Sequence, residues 1–408
     1  MKKYLFLALG VAALTSCSSD EVTELNQGNE IKFSVVADND SRAATVYCNN
    51  NLMDEFYVYA NDGTNAFINA DWIKSTDGVN WNNTTATKRY WPETDALNFY
   101  AIYGAFADTK VDNKAIPSID DFAPSTTVAE QVDVLYAYTP GQTQQNSGGT
   151  VALNFRHALS QIEFQAKNTN QHIDVQIEQV VVGNVLSSGD FTMPTGTTNE
   201  NKYGEHNGGS DATVIANQGT WALNAAKACY TVATSDANAF VALNDITNLT
   251  CAIDEDPLNK DATDKNWKKT MLLLPQTADE NAPNYNGGKW NATSVVTPEN
   301  VVGTTAGTYL GVKCKIYNVT KVDTDADGDL DVVRTPIYGK DGYKWALVPV
   351  DLTWEQGKKY VYTFVFSTGN GGFTPEGDEV LNDIALTVTV DDFILGEGSP
   401  FDTPMKTE

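Results

Sequence analysis

The densest set of candidate ligands in the chain is DTDADGDLDVVR, Asp323 to Arg334. Asp323, Asp325, Asp327, Asp329 and Asp331 alternate around Gly328, which is how hard-oxygen calcium loops space their carboxylates around a sharp turn. The twelfth position of such a loop calls for a bidentate glutamate, and Arg334 stands there. The flanking segments read as strands rather than helices. A calcium-stabilised hairpin loop and a merely solvated acidic loop both fit. Elsewhere the chemistry is sparse. His157, His172 and His206 are dispersed, and Cys48, Cys229, Cys251 and Cys314 include no CxxC pair, so neither a metal nor a redox site is indicated. A Cys48–His157 nucleophilic pair has nothing else to support it, and His157, among aromatic and aliphatic neighbours, reads as a packed residue. With 53 acidic residues, carboxylate pairs occur at any spacing by chance. There is no GxSxG elbow, no HExxH and no phosphate-cradling glycine loop before a helix, so the chain is read as a non-enzyme without a cofactor, calcium aside.

The N-terminal residues suggest covalent processing. Lys2 and Lys3 precede the apolar run YLFLALGVAAL, Tyr4 to Leu14, which is too short to span a bilayer and has the layout of a signal peptide. The run ends in LTSC, which resembles a bacterial lipobox. That resemblance implies cleavage before Cys17 and lipidation of its thiol, making residues 1–16 the signal peptide. Ser18-Ser19-Asp20-Glu21 resembles the acidic tag that sends lipoproteins to the outer face of the outer membrane. Several acyl chains would anchor the protein firmly, because one chain alone binds marginally. Export permits disulfides, but the four remaining cysteines allow three pairings and none is assigned.

Next comes EIKFSVVADNDSRAATVY, residues 30–47. Ile31, Phe33, Val35 and Ala37 recur with the period of two that suits a half-buried strand. A polar, acidic run follows, holding one basic residue, Arg42, before Ala43 and Ala44.

Strand signals dominate the remainder. DEFYVYA, LNFYAIYGAF, VDVLYAYTP, LSQIEFQAKN and IDVQIEQVVVG are short, aromatic and β-branched, with turn residues between them. A loop-like region, Ser187 to Gly219, precedes a second series: MLLLPQT, TYLGVKCKIYNV, KWALVPVDL, KKYVYTFVFS and DIALTVTVDDFIL. In the last of these Ile384, Leu386, Val388 and Val390 share one face. Helical periodicity is scarce, and only TWALNAAKACY and the region around Ala158 are candidates. The expected fold is all-β, with one antiparallel sandwich in each half and the boundary at residue 187. A formal net charge of −26 argues against nucleic-acid partners and against adsorption to anionic membranes. Trp72, Trp81 and Trp91, with Tyr90, lie close in sequence. Exposed, they would stack on sugar rings, as in a monomeric surface glycan-binding lipoprotein; buried, they would be core anchors.

Several phrases in this order resemble the fimbrillin family, the lipoprotein pilins of type V pili. They are the lipobox at Cys17, the first strand ending in SRA, RYWPETDALNFYAIYGAF (Arg89 to Phe106), LNFRHALSQIEF, MLLLPQT, LTWEQGKKYVYTFVF and a closing VTVDDF. The resemblance covers nearly the whole chain. It implies two transthyretin-like antiparallel β-sandwich domains and a structural role in a surface fimbria or pilus mediating cell adhesion. It also implies export to the outer membrane, cleavage by an Arg-specific surface protease and polymerisation with further subunits by donor-strand exchange. On this chain the matching bond is Arg42–Ala43, which implies a lipidated propeptide 17–42 followed by sandwich domains 43–186 and 187–408. The strand that fills its own groove until cleavage carries Ile31, Phe33, Val35 and Ala37. Arg89 is the poorer cleavage candidate, because its neighbours read as folded core. The donor strand is expected among Ile384, Leu386, Val388, Val390 and Phe393.

Overall fold

The computed structural model describes residues 29–36, 53–76, 80–85, 88–196, 218–234, 236–250, 270–278, 285–286, 289–290, 307–325, 328–367 and 383–392. The first strands in chain order are β1 (Lys32–Val36), β2 (Glu55–Asn61), β3 (Ala66–Lys74), β4 (Asn82–Asn83), β5 (Leu97–Tyr103), β6 (Thr109–Val111), β7 (Pro117–Phe122) and β8 (Leu135–Gln142). There follow β9 (Thr150–Asn154), β10 (Arg156–His157), β11 (Ser160–Asn168), β12 (Ile173–Leu186), β13 (Gly189–Thr192), β14 (Thr220–Leu223), β15 (Lys227–Ala233), β16 (Thr247–Asn248), β17 (Met271–Leu273) and β18 (Thr277–Ala278). The last are β19 (Tyr285–Asn286), β20 (Lys289–Trp290), β21 (Tyr309–Val322), β22 (Asp331–Tyr338), β23 (Lys344–Pro349), β24 (Leu352–Thr353), β25 (Lys358–Ser367) and β26 (Asp383–Asp392). The all-β expectation holds, and most pairings are antiparallel.

Alternation sorts the side chains into layers. The central six-stranded sheet runs β10-β8-β5-β2-β3-β4. Phe56, Val58 and Ala60 of β2, with Phe99 and Ala101 of β5, join the apolar cluster that holds Ile31, Phe33, Val151 and Leu153. Their neighbours Tyr59, Tyr100 and Ile102 point the other way, into a cluster with Ile119, Phe122 and Phe191. Period-two patterning thus buries both faces of one sheet. One face lies under the two-stranded β1–β9 sheet, the other under the sheet β14-β13-β7-β6.

A further cluster lies between two other sheets. In one, β16-β11-β25-β26, strands β11 and β25 run parallel. The other is β15-β12-β21-β22, with β23 also on β21. Phe164, Tyr362 and Phe364 of the first meet Ile177, Val180 and Val312 of the second. Strand pairings cross residue 187 in both directions: β11 and β12 precede it and pair with β25 and β21, whereas β13 follows it and pairs with β7. Gly183 is required on β12, since a Cβ there would fall 1.9 Å from the Tyr309 ring.

Both helix candidates are strand or strand-flanking. TWAL is β14, KACY begins β15, and Ala158 lies between β10 and β11. Trp221 explains the first case: β14 pairs with β13, so this ring packs on Phe191 and Phe122, and burial outweighs the helix propensity of the alanines.

Candidate functional site

The first strand lies between two walls. On one side β1 pairs in parallel with β9, from Lys32 opposite Thr150 to Val36 opposite Asn154. On the other it makes antiparallel bridges, Glu30 to Tyr90 and Phe33 to Trp81. The Ile31 amide donates to the Arg89 carbonyl at 2.8 Å, and the Trp91 amide donates to the Asn29 carbonyl at 2.9 Å. Lys88 Nζ lies 3.0 Å from the Glu30 carboxylate. Ile31 and Phe33 are only 5% and 6% exposed, and Val35 packs partly against the same cluster. Burying each of the two larger side chains is worth about 1.5–3 kcal/mol. Cys17, Ala37, Arg42 and Ala43 lie outside the described residues.

At the other end of the chain, β26 pairs antiparallel with β25, from Asp383 opposite Ser367 to Asp392 opposite Lys358. Among the described residues no strand pairs with its outer side. Leu386 packs partly into the core, whereas Val388 and Val390 are 50% and 47% exposed. They line a groove of about 370 Å³ with Val350, Leu352, Tyr360 and Tyr362. Ile384 belongs to β26, and Phe393 lies outside the described residues.

The acidic run joins β21 to β22. Asp323, Asp325, Asp329 and Asp331 are exposed, and Asp327 lies outside the described residues. Two of these carboxylates are engaged by the loop itself. Asp323 Oδ2 accepts the Gly328 amide at 3.1 Å, and Asp331 accepts both the amide and the hydroxyl of Thr324. The Thr324 hydroxyl and amide hold the Asp331 carboxyl below its ordinary range. Among the described residues no three His, Cys, Asp or Glu side chains converge on one point.

The tryptophans do not form one platform. Trp91 is 6% exposed, and Trp81 packs on Phe56 at 4.9 Å. Trp72 instead stacks on Tyr57 at 6.1 Å, under the Lys74 ammonium. His157 pairs through Nδ1 with the buried Asp133 carboxylate. Cys229 and Cys314 are free thiols, and Cys48, Cys251 and His206 lie outside the described residues.

The profile of the fimbrillin-like family matches residues 35–392, from within the first strand to the end of β26. The chain belongs to the fimbrillin-like family. No curated protein matches this fimbrillin-like chain by sequence. Among solved structures, a fimbrial protein from Bacteroides vulgatus aligns over 90% of this chain and 99% of its own, at 13% identity and a TM-score of 0.46. The C-terminally truncated tip fimbrial protein of Porphyromonas gingivalis aligns over 89% of this chain and 99% of its own, at 7% identity and a TM-score of 0.35.

Four residues near β1 escape sequence reasoning as its supports: Asp71, Asn83, which donates to the Asp71 carboxylate, Lys88, which pairs with Glu30, and Arg89, which pairs with Asp71. Adjacent cations in so acidic a chain are a faint signal for the last two. Nothing distinguishes Asp71 from the other acidic residues until the fold is known.

Proposed function

We propose that this fimbrillin-like chain is a structural subunit of a surface fimbria that grows by strand exchange. In this reading Cys17 carries the lipid that holds the precursor at the outer membrane. An Arg-specific protease cuts Arg42–Ala43, and β1 then leaves. The observation that carries the proposal is the way β1 is bound. It forms a two-stranded sheet with β9 instead of joining the six-stranded sheet, yet it buries Ile31 and Phe33 in a core. Its loss leaves an apolar seat with unpaired backbone on both walls, and such a seat demands another strand. A segment from a second subunit can restore both burial and main-chain pairing. Donor and acceptor surfaces differ, so the contact is head-to-tail and extends into a filament.

The donor in this reading is β26. Asp383-Ile384-Ala385-Leu386-Thr387-Val388 repeats the pattern of Glu30-Ile31-Lys32-Phe33-Ser34-Val35: acidic, isoleucine, variable, large apolar, hydroxyl, valine. The match would bring Asp383 to Lys88 and Leu386 to the place of Phe33. Half-exposed Val388 and Val390 favour the move, since they gain burial on insertion.

Mild trypsin treatment followed by N-terminal sequencing and gel analysis tests the proposal. A single new terminus at Ala43 accompanied by a ladder of oligomers is expected. A cleaved protein that keeps β1 and stays monomeric at high concentration would overturn it.

A further inference from the structure

We infer that Asp71 and Arg89 form a latch that positions the outer wall of the first strand's seat and so sets how long that strand stays. Asp71, on β3, is 1% exposed. The Arg89 guanidinium grips it with two parallel bonds, Nε to Oδ2 and Nη2 to Oδ1, each 2.8 Å. Asn83 Nδ2 adds a third donor to Oδ2 at 2.9 Å. A bidentate, largely desolvated pair of this kind fixes both distance and orientation. It also resists separation, because a carboxylate left alone in such a site is costly.

What the pair fixes is backbone. The carbonyl of Arg89 itself receives the Ile31 amide, and two residues on, Trp91 gives its amide to Asn29. The Trp91 ring is buried edge-on to Phe99. Lys88 reaches Glu30 from the residue before. Lys88, Arg89 and Trp91 thus hold the start of the strand, and the charged anchor among them is tied to a different strand, β3. The opposite wall is plain parallel pairing with β9. Loosening the anchor therefore frees one wall and leaves the six-stranded sheet standing.

As a determinant of the strand's dwell time the latch is independent of polymerisation. As a control on exchange it rests on the proposed function. The test uses the uncleaved full chain, so the two can fail separately. Hydrogen exchange is followed in the wild type, in Arg89→Lys, which keeps the charge but loses the two-point grip, and in Asp71→Asn. The latch predicts about tenfold or faster exchange of the Ile31 and Trp91 amides together with those of residues 33–36, while β25 amides keep their wild-type rates. Unchanged rates in β1, acceleration confined to Ile31 and Trp91, or equal acceleration of β25 would each overturn it. Uptake of a peptide with the sequence of β26 by trypsin-cleaved wild type is then measured separately. Its absence would count against strand exchange and leave the latch in place.

Discussion

Phe33 meets Phe99 edge-on, with ring centroids 6.0 Å apart, and this contact seats the first strand's aromatic side chain in a buried apolar cluster. Phe33→Ala leaves a cavity against Phe99 in a strand with only two walls. The expected loss is about 3 kcal/mol, at the low end for a buried phenylalanine because one side of the site can relax toward solvent. Urea unfolding of the uncleaved chain measures it, and a loss below about 1 kcal/mol would mean that the strand is not held by this anchor.

Burial sets the alkaline limit of stability. It pushes Tyr59, Tyr230 and Tyr362 up to about 12 from 10.0, and the Cys314 thiol up to about 12 from 9.0. Their protonated forms persist in the folded chain after the unfolded chain has lost its protons. Above about pH 9 the unfolded state therefore binds fewer protons, and stability declines until the folded groups also ionise near pH 12. The urea midpoint is expected to fall from about pH 9 upward. Cys314→Val should delay the onset to about pH 10, where the tyrosines begin to contribute. A midpoint that stays level to pH 11 would contradict the assignment.

Calcium is expected to leave the melting temperature unchanged. The spacing of Asp323 to Asp331 suits a cation, but Asp323 and Asp331 already accept hydrogen bonds from Gly328 and Thr324. Each keeps further lone pairs, yet a metal would meet the Arg334 cation where such a loop supplies its bidentate glutamate. Arg334 is itself bonded to Asp174 at 2.6 Å. Differential scanning calorimetry with and without millimolar calcium decides the matter, and an upward shift of several degrees would establish a site.

The strands were legible because short aromatic and β-branched runs stand between turn residues; in β2, Phe56, Val58 and Ala60 face one cluster, with Tyr57 and Tyr59 between them facing another. Partner choice was not legible. No local pattern says that β1 pairs with β9 in parallel, or that β11 pairs with β25, since these contacts join segments far apart in the chain. TWALNAAKACY misled because alanine favours helix locally, while Trp221 gains more by packing on Phe191. The buried face of the first strand, Ile31 and Phe33, could be read from spacing. The charge pair that supports its wall could not, since many carboxylates in so acidic a chain could have partnered Arg89.

The pattern shared by β1 and β26 makes a register-specific prediction for the donor. A peptide spanning Asp383 to Asp392 should bind protein cleaved after Arg42, with Leu386 where Phe33 had been. Leu386→Asp would carry an unpaired carboxylate into the cluster of Phe99, Trp91 and Leu153, a burial so unfavourable that binding should weaken by about 100-fold or more. Leu386→Phe should bind at least as well as the natural peptide, because the site is already shaped around an aromatic ring. Thr387→Asp, one residue on, should be much milder, as it falls at the place of Ser34, which is not part of the buried cluster. Fluorescence anisotropy of labelled peptides gives the comparison. Equal binding by the Leu386→Asp and natural peptides would rule out this register, and a larger loss at Thr387 than at Leu386 would shift it by one residue.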